Sequence, residues 1–417
     1  MTLFNLPDNE ASIALGDNGD GVAVWRDPVT EAVRYSLKKG KAWTAARSLY
    51  VFNGGTTSDV HALIRPDGTA VAVFSAYQPG ALSYCASGLR VVRCRLPGSA
   101  YARVATLSPG ATAWTVQAMS PKGTQVSGTR VGADGHGNLT ATWTIQTAAG
   151  QPAVIQSAYQ LPGGQWAYRS VSGPVAPVGA PSLAVAPSGE ATLVWQERTP
   201  SGLMPVTLKS LTMSASGNWA PVADDLAALP EPVSGLQVAL DGAGTTSVVW
   251  NSRYSVMLMQ RMPDASWQTE VLRAAPADLS TMAFGPSLAV NAAGDLLVAW
   301  SENEAGVLQV RALLRPVGGA ELQGVWPGTS QPHASLAADR SRALVTWTDD
   351  GDGKAYAGGF VPGAAGWSEI PPKGLGMALW GSASAGACGN HGQAGVVWIA
   401  PTSREFVYRY AGASWLP

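Results

Sequence analysis

The chain repeats one short arrangement of apolar and polar residues. Two apolar runs, joined by a turn of glycine and small polar residues, end at an aromatic side chain, as in PSLAVAPSGEATLVW from Pro181 and PSLAVNAAGDLLVAW from Pro286. The closing aromatic recurs at intervals of 47 to 55 residues, with one interval of 69, in eight copies: Trp25, Phe74, Trp143, Trp195, Trp250, Trp300, Trp347 and Trp398. Short strands repeated with such a period indicate a repeat architecture.

Each copy predicts four strands. In PSLAVAP, EATLVWQ, PVTLKSLTM and WAPVADD, short apolar segments are separated by turn residues, and the second segment is apolar on both faces. Such a strand must be covered on both sides, as it is between neighbouring blades of a β-propeller. The sequence therefore predicts an all-β fold, with residues 1–417 forming a single β-propeller of eight four-stranded blades; seven blades is the alternative count.

The repeat also predicts where the blades lie and how the ring closes. The predicted blades cover residues 10–55, 57–110, 127–175, 181–228, 234–275, 286–327, 333–371 and 376–417. Because the last copy is short and residues 1–8 belong to no copy, we expect that segment to supply the outer strand of the eighth blade. The longest interval, between Phe74 and Trp143, predicts an insertion at SPGATAWTVQAMSPKGTQ.

Composition excludes two kinds of partner. Charged residues are 13% of the chain and the net charge is -1, so nothing favours nucleic acid or an anionic membrane. No apolar run is long enough to insert into a membrane, and no nucleotide-binding or other cofactor fingerprint occurs, so no cofactor is expected. Low charge with abundant Trp, Thr, Ser and Gly favours a periplasmic or extracellular protein, although the given chain contains no signal peptide.

The blade pattern GxAxVxW resembles that of bacterial β-propeller repeat proteins, a group that includes sialidase-like enzymes and propeller lectins. The resemblance covers the whole chain and implies the propeller fold. Sialidase-like propellers carry Ser-x-Asp-x-Gly-x-Thr-Trp at a turn, whereas the turns here read APSGEATLVW or RPDGTAVAVF. The resemblance therefore assigns no specific family and no catalytic residue.

Cysteines and carboxylates give weak candidates for cross-links and metal binding. Cys85 and Cys94 flank a short turn and are predicted either to bridge a hairpin or to remain reduced. Aspartates in the turns between first and second strands are expected to serve the turns themselves. The segment TDDGDGK contains the cation candidates Asp349, Asp350 and Asp352, and no histidine pair has the spacing of a zinc site.

Small polar residues recur on the predicted inner strands. Counting back thirteen residues from the aromatic gives Ser12, His61, Ser182, Gln237 and Ser287, and a shift of one residue aligns Thr129 and Ser335. Inner strands converge on the axis of a propeller, so we expect these side chains to line a hydrated channel.

Tryptophan separates scaffold from candidate site. Of the 16 tryptophans, seven close second strands and six open fourth strands, where packing between blades explains them. Trp114, Trp326 and Trp380 fall outside this register, in segments predicted to lie on the loop-rich face. Aromatic rings beside polar groups bind sugar rings or peptides, so these three are the predicted ligand-binding residues.

Three functions remain open at this point. The first is a non-enzymatic binding or scaffold propeller that holds a glycan or a protein partner on its loop-rich face. The second is a carbohydrate-active enzyme, a glycoside hydrolase or polysaccharide lyase, which needs two carboxylates or a base beside an arginine. Its candidate catalytic residues are Glu197, Arg198, Arg253, Glu302 and Glu304. The third is a structural subunit of a cell-surface assembly.

Overall fold

The computed structural model describes residues 11–411 except 28, 41, 52–53, 88–89, 97, 149–150, 174–176, 199–204, 263–264, 277, 350, 365, 379–383 and 400–405. All regular secondary structure in these residues is β-strand, and no helix in them could span a membrane. The strands form successive antiparallel sheets arranged as a β-propeller.

Seven sheets, which we call blades 1 to 7, contain at least four strands each. Blade 1 comprises β1 (Ala11–Leu15), β2 (Gly21–Arg26), β3 (Val33–Lys39), β4 (Ala42–Trp43) and β5 (Arg47–Tyr50). Blade 2 comprises β6 (Thr56–Ile64), β7 (Ala70–Gln78), β10 (Ser99–Leu107) and β11 (Thr115–Ala118). A separate hairpin, β8 (Leu82–Ser87) and β9 (Arg90–Arg95), lies between β7 and β10 in the chain. Blades 3 and 4 comprise β12 (Gln125–Ala133), β13 (Leu139–Gln146), β14 (Val154–Gln160), β15 (Ala167–Ser170), then β16 (Pro177–Val185), β17 (Ala191–Arg198), β18 (Val206–Met213) and β19 (Asp224–Leu229).

The remaining strands follow the same order. Blades 5 and 6 comprise β20 (Ser234–Leu240), β21 (Thr246–Ser252), β22 (Ser255–Arg261), β23 (Trp267–Arg273), then β24 (Thr281–Val290), β25 (Leu296–Glu304), β26 (Val307–Arg315) and β27 (Leu322–Pro327). Blade 7 comprises β28 (His333–Leu336), β29 (Ala343–Asp349), β30 (Lys354–Gly363) and β31 (Gly366–Met377). A three-stranded sheet 8 contains β32 (Ser384–Cys388), β33 (Ala394–Ile399) and β34 (Phe406–Ala411).

The blade count corrects the sequence prediction. Seven blades of at least four strands are present instead of eight, because the last sheet has three strands in the described residues. Its inner strand β32 packs beside β1, so sheet 8 lies between blades 7 and 1. The predicted closing strand, residues 1–8, lies outside the described residues.

The second strand of each blade forms the core. Strands such as β2, β7, β13 and β25 are almost completely buried, because neighbouring sheets cover both of their faces. The closing aromatics are at most 4% exposed, which confirms that they pack between sheets. The turns before these strands use aspartate as predicted: Oδ1 of Asp134 accepts the backbone N–H groups of His136 and Asn138.

Blade 2 departs from the predicted boundaries. Its extra residues form the hairpin β8–β9, inserted between the second and third strands, and not the segment SPGATAWTVQAMSPKGTQ. That segment contains the fourth strand β11, so blade 2 extends beyond residue 110. The hairpin rises from the face that also carries the connections between successive blades, which we call the loop face.

The inner strands of blades 2 to 6 share one irregularity. Each has a β-bulge opposite the aromatic of its second strand, where the pairing register shifts. The first bulged residue has a left-handed backbone in every case, with φ between 53° and 73°: Asp59, Gly128, Gly179, Gly235 and Gly285. Glycine adopts this conformation without steric cost, so Asp59 is the exception in the series.

Candidate functional site on the propeller axis

One inner-strand position is equivalent in all eight sheets, because it pairs with the residue before the second-strand aromatic. We call it the ring position; its occupants are Ser12, His61, Arg130, Ser182, Gln237, Ser287, His333 and Ala385. In blades 3 and 7 this position is occupied by Arg130 and His333. Counting along the repeat with an allowance of one residue predicts Thr129 and Ser335 instead. A strict count of thirteen residues back from Trp143 gives Arg130, so the signal was present in the sequence.

Most ring-position side chains join neighbouring sheets. Ser12, Ser182, Gln237 and Ser287 each accept the backbone N–H of the next inner strand at 2.9 to 3.0 Å. His333 accepts the N–H of Gly386 through Nδ1 at 3.5 Å. These groups therefore act at the junctions between blades, and the expected hydrated channel stays a prediction.

His61 and Arg130 interrupt this series in adjacent blades. A guanidinium has no acceptor atom, so Arg130 cannot make the bond, and its Nη1 donates instead to the Thr129 carbonyl at 3.1 Å. In the described structure, Nε2 of His61 is buried and has no hydrogen-bond partner. It shares this property with other buried side-chain atoms of the described structure, and a bound ligand or a water molecule could satisfy it.

The surroundings of both ring-position histidines disfavour their charged forms. Desolvation lowers the pKa of His61 well below its ordinary value, and the charge of Arg130, together with that of His333 when it is protonated, lowers it further. Desolvation also lowers the pKa of His333, to about 4. Both imidazoles are therefore neutral at neutral pH, and the pairing of His61 with the Arg130 guanidinium combines a proton acceptor with an anion-binding group.

A cavity continues from the ring position toward the opposite face. Its volume is about 320 Å³, and it is lined by the residues that directly follow four ring-position side chains: 183–185, 238–240, 288–290 and 334–336. These segments belong to the inner strands of blades 4 to 7. The axis is therefore open on this side of the basic groups.

The structure brings together two of the predicted catalytic residues, Glu302 and Glu304. Nη2 of Arg273, from the preceding blade, donates to Glu302 at 2.9 Å and to Glu304 at 3.0 Å. Arg311 bonds the same two carboxylates at 2.8 and 3.0 Å, and Gln309 does so at 3.0 and 3.1 Å. The bond from Arg273 lowers the pKa of Glu304. Because Arg273 belongs to blade 5 and the other members belong to blade 6, this network joins the two blades. Its central carboxylate, Glu302, is 0% exposed.

The other predicted catalytic residues lie apart from that network. Glu197 accepts the indole N–H of Trp195 at 3.3 Å, and Arg198 is exposed at the end of β17. Arg253 lies in the β21–β22 turn, where its Nε donates to Glu231 at 2.8 Å. The arginines that contact Glu302 are thus not those expected from the sequence.

The predicted tryptophan platform is not assembled. Trp114 directly precedes the fourth strand β11 and packs edge-on against Tyr35, with 5.3 Å between ring centroids. Trp326 is 2% exposed, stacks on Trp347 at 5.2 Å and donates its indole N–H to Glu369 at 2.7 Å. Both are packing residues in different blades, and Trp380 lies outside the described residues.

The candidate cation segment has internal partners. Asp349 Oδ1 accepts the N–H of Gly351, and Asp352 Oδ2 accepts bonds from Lys354 and Tyr356 at 2.8 and 2.5 Å. Asp350 lies outside the described residues. Over the rest of the chain that the structure describes, no group of three or more His, Cys, Asp or Glu side chains is placed to hold a metal ion.

The cysteines add no reactive group to the site. In the hairpin, the backbone of Cys85 pairs with Val92 and that of Cys94 with Ser83; the side chains of both cysteines lie outside the described part. Cys388 is a free thiol whose pKa is raised to about 12 by burial. The predicted Cys85–Cys94 bridge therefore stays a prediction.

Comparison with known proteins supports the fold. No protein-family model and no curated protein matches the chain. It is similar to a solved polysaccharide lyase, an ulvan lyase, with a TM-score of 0.50 and 8% identity, covering 82% of this chain and 89% of that one. A prolyl endopeptidase structure matches with a TM-score of 0.51 and 12% identity. The match covers 94% of this chain but 55% of the endopeptidase, so this chain corresponds to about half of it. A Hadza microbial sialidase matches with a TM-score of 0.39 and 12% identity, covering 78% of this chain and 76% of the sialidase. The expected resemblance to a broad group of propellers is confirmed, without a specific family.

Proposed function

We propose that this protein is a carbohydrate-active propeller that acts on an acidic polysaccharide at its axis, as a polysaccharide lyase. The observation that supports the proposal is the ring position of blades 2 and 3, where the unpartnered Nε2 of a neutral His61 stands near Arg130. An arginine recognises a carboxylate by charge-assisted hydrogen bonds, and a neutral imidazole beside it can act as a general base.

The chemistry proposed is β-elimination at a uronate residue. Arg130 neutralises the sugar carboxylate, which makes the proton on the adjacent carbon C5 more acidic. His61 takes that proton, the C5 electron pair forms a C4=C5 double bond, and the C4–O bond breaks with its electrons leaving on oxygen. The imidazolium then returns the proton to that oxygen, so the histidine ends neutral. No oxidant, metal or water is consumed.

The carboxylate pair fits this function less well as a catalytic centre. A glycoside hydrolase needs one protonated carboxylic acid and one ionised carboxylate. Glu302 and Glu304 share two arginines, and the bond from Arg273 lowers the pKa of Glu304, so Glu304 is unsuited to the role of the protonated acid. We therefore assign these residues to the scaffold and the chemistry to the axis.

The experiment is a turnover assay on uronate polysaccharides, with polygalacturonate, alginate and glucuronan as substrates. The ultraviolet absorbance of the new double bond reports elimination. We expect His61→Ala to lose about 100-fold or more in kcat, the range for a general base, and Arg130→Ala to lose a comparable factor. The control is Ser182→Ala, at the same ring position on an uncharged part of the axis, which keeps its turnover.

Binding without turnover is the second candidate, because a basic ring position holds an anionic sugar whether or not elimination follows. Calorimetry with the same polysaccharides separates the two functions. Binding that depends on Arg130, with no unsaturated product from any substrate, supports a non-enzymatic glycan-binding propeller. If the wild-type protein neither binds nor cleaves these polysaccharides, both proposals are wrong. Export to the periplasm or outside the cell is part of the proposal, since such polymers are extracellular.

A further inference from the structure

Asp59 occupies a place in the repeat that is otherwise glycine. The bulge residue is Gly128, Gly179, Gly235 or Gly285 in blades 3 to 6, each with a left-handed backbone. Asp59 has φ of 53°, a conformation that is uncommon for a residue with a side chain, that aspartate adopts more readily than most, and that clusters at functional sites.

The neighbouring blade blocks a side chain at most of the equivalent glycine positions but not at all of them. A Cβ on Gly235 would lie 2.6 Å from Cδ of Pro286, and one on Gly285 would lie 2.5 Å from Cγ of Gln331, both from the following blade. A Cβ on Gly179, by contrast, would lie 3.9 Å from its nearest neighbour, Nε2 of Gln196. At position 59 the following blade also leaves room for a side chain, and the Asp59 carboxylate accepts the Gly128 N–H.

The carboxylate is bonded to the segment that carries Arg130. Oδ2 of Asp59 accepts the backbone N–H of Gly128 at 3.0 Å and the hydroxyl of Ser75 at 2.9 Å. Ser75 in turn shares a hydrogen bond of 2.7 Å with the hydroxyl of Thr129, whose carbonyl accepts Nη1 of Arg130. Both residues before Arg130 are therefore held by Asp59, directly or through Ser75.

We infer that Asp59 is a positioning residue that fixes Arg130 relative to His61. It lies two residues before His61 on its own strand and bonds the bulge two residues before Arg130 on the next. The inference rests on the proposed function, because it concerns the groups to which that function assigns the chemistry. It adds a third residue, from outside the ring position, that the site requires.

The test compares two substitutions of one residue. Asp59→Gly removes the carboxylate and relieves the backbone, whereas Asp59→Asn keeps an oxygen that can accept both bonds. We expect Asp59→Gly to lower kcat at least 10-fold with little change in KM, and Asp59→Asn to keep at least half of the wild-type kcat. In an Arg130→Ala background, Asp59→Gly should have no further effect, because its influence passes through Arg130.

A matched control separates positioning from stability. Ala265 also has a left-handed backbone, with φ of 66°, in an exposed turn outside the site, so Ala265→Gly should leave kcat unchanged. Wild-type kcat in Asp59→Gly, or equal losses in the glycine and asparagine variants, would overturn the inference.

The inference can also be tested if the protein proves not to be a lyase. Hydrogen exchange of the Gly128 amide reports the Asp59 contact without any substrate. We expect at least 10-fold faster exchange in Asp59→Gly and the wild-type rate in Asp59→Asn. Unchanged exchange in Asp59→Gly would refute the positioning role, whereas faster exchange in a protein without turnover would refute only the proposed reaction.

Discussion

His333 should make the stability of the propeller depend on pH, and His333→Gln should remove part of that dependence. The pKa of His333 is about 4 in the folded protein and 6.5 in an unfolded chain. Because the folded pKa is the lower one, the unfolded state binds the proton more tightly. The folded state therefore has full stability above pH 6.5 and loses it as the pH falls toward 4.

The size of the effect follows from the difference between the two pKa values. One pKa unit corresponds to about 1.4 kcal/mol, so complete protonation of His333 costs about 3 kcal/mol of unfolding free energy. About 2 kcal/mol of this is already lost at pH 5. His61 titrates in the same direction and adds to the loss in the wild-type protein, since its pKa is also lowered.

Glutamine is the substitution that the fold itself suggests. Gln237 occupies the ring position of blade 5, and its Oε1 accepts the next inner strand's N–H at 2.9 Å. Glutamine at position 333 can make the equivalent bond to Gly386 without titrating. Urea denaturation at pH 8 and pH 5 should show similar midpoints for both proteins at pH 8 and a higher midpoint for His333→Gln at pH 5.

The control is His391→Gln, at a side chain that is 83% exposed and outside the axis. It should leave the difference between pH 8 and pH 5 as it is in the wild-type protein. If His333→Gln loses as much stability at pH 5 as the wild-type protein does, the axis does not hold His333 in its neutral form and the reasoning fails.

Three further predictions concern the scaffold. Glu302→Ala should lower the free energy of unfolding by about 2 kcal/mol, because it removes the buried carboxylate that both Arg273 and Arg311 contact; normal urea stability with lost turnover would instead restore a catalytic role. Trp326→Ala should cost about 3 to 5 kcal/mol, measured in the same way, since it removes a buried ring stacked on Trp347; unchanged stability with lost glycan binding would support the tryptophan platform. Ser287→Ala should cost about 1 to 2 kcal/mol by leaving the next inner strand's amide without an acceptor, and an unchanged midpoint would contradict that junction.

The sequence alone predicted the fold well because the repeat is a packing repeat. Each aromatic that closes a second strand is buried between sheets, so its period reports directly on blade spacing. The fourth strand of blade 2 was misplaced because the hairpin Leu82–Arg95 adds residues earlier in the blade than the apolar pattern suggested. Trp114 then appeared to lie outside the register, although it precedes a fourth strand like other tryptophans.

The candidate site was only partly predictable. His61 was identified by counting back thirteen residues from Phe74, and the same strict count gives Arg130, but an allowance of one residue for turn length selected Thr129 instead. The partners of Glu302 could not be found from local sequence, since Arg273 belongs to the preceding blade and Arg311 to the next strand. Contacts between blades depend on how neighbouring sheets are placed around the axis, which no short segment encodes.

The ring-position bonds bear on how such a chain could have grown. Each bond joins a side chain of one sheet to a backbone N–H of the next, and every residue except proline carries that N–H. Duplicating or deleting a whole unit of about fifty residues would thus leave a workable junction on either side. No junction specifies the number of sheets, and a pair of neighbouring units can give up its bond and acquire chemistry while the others hold the ring.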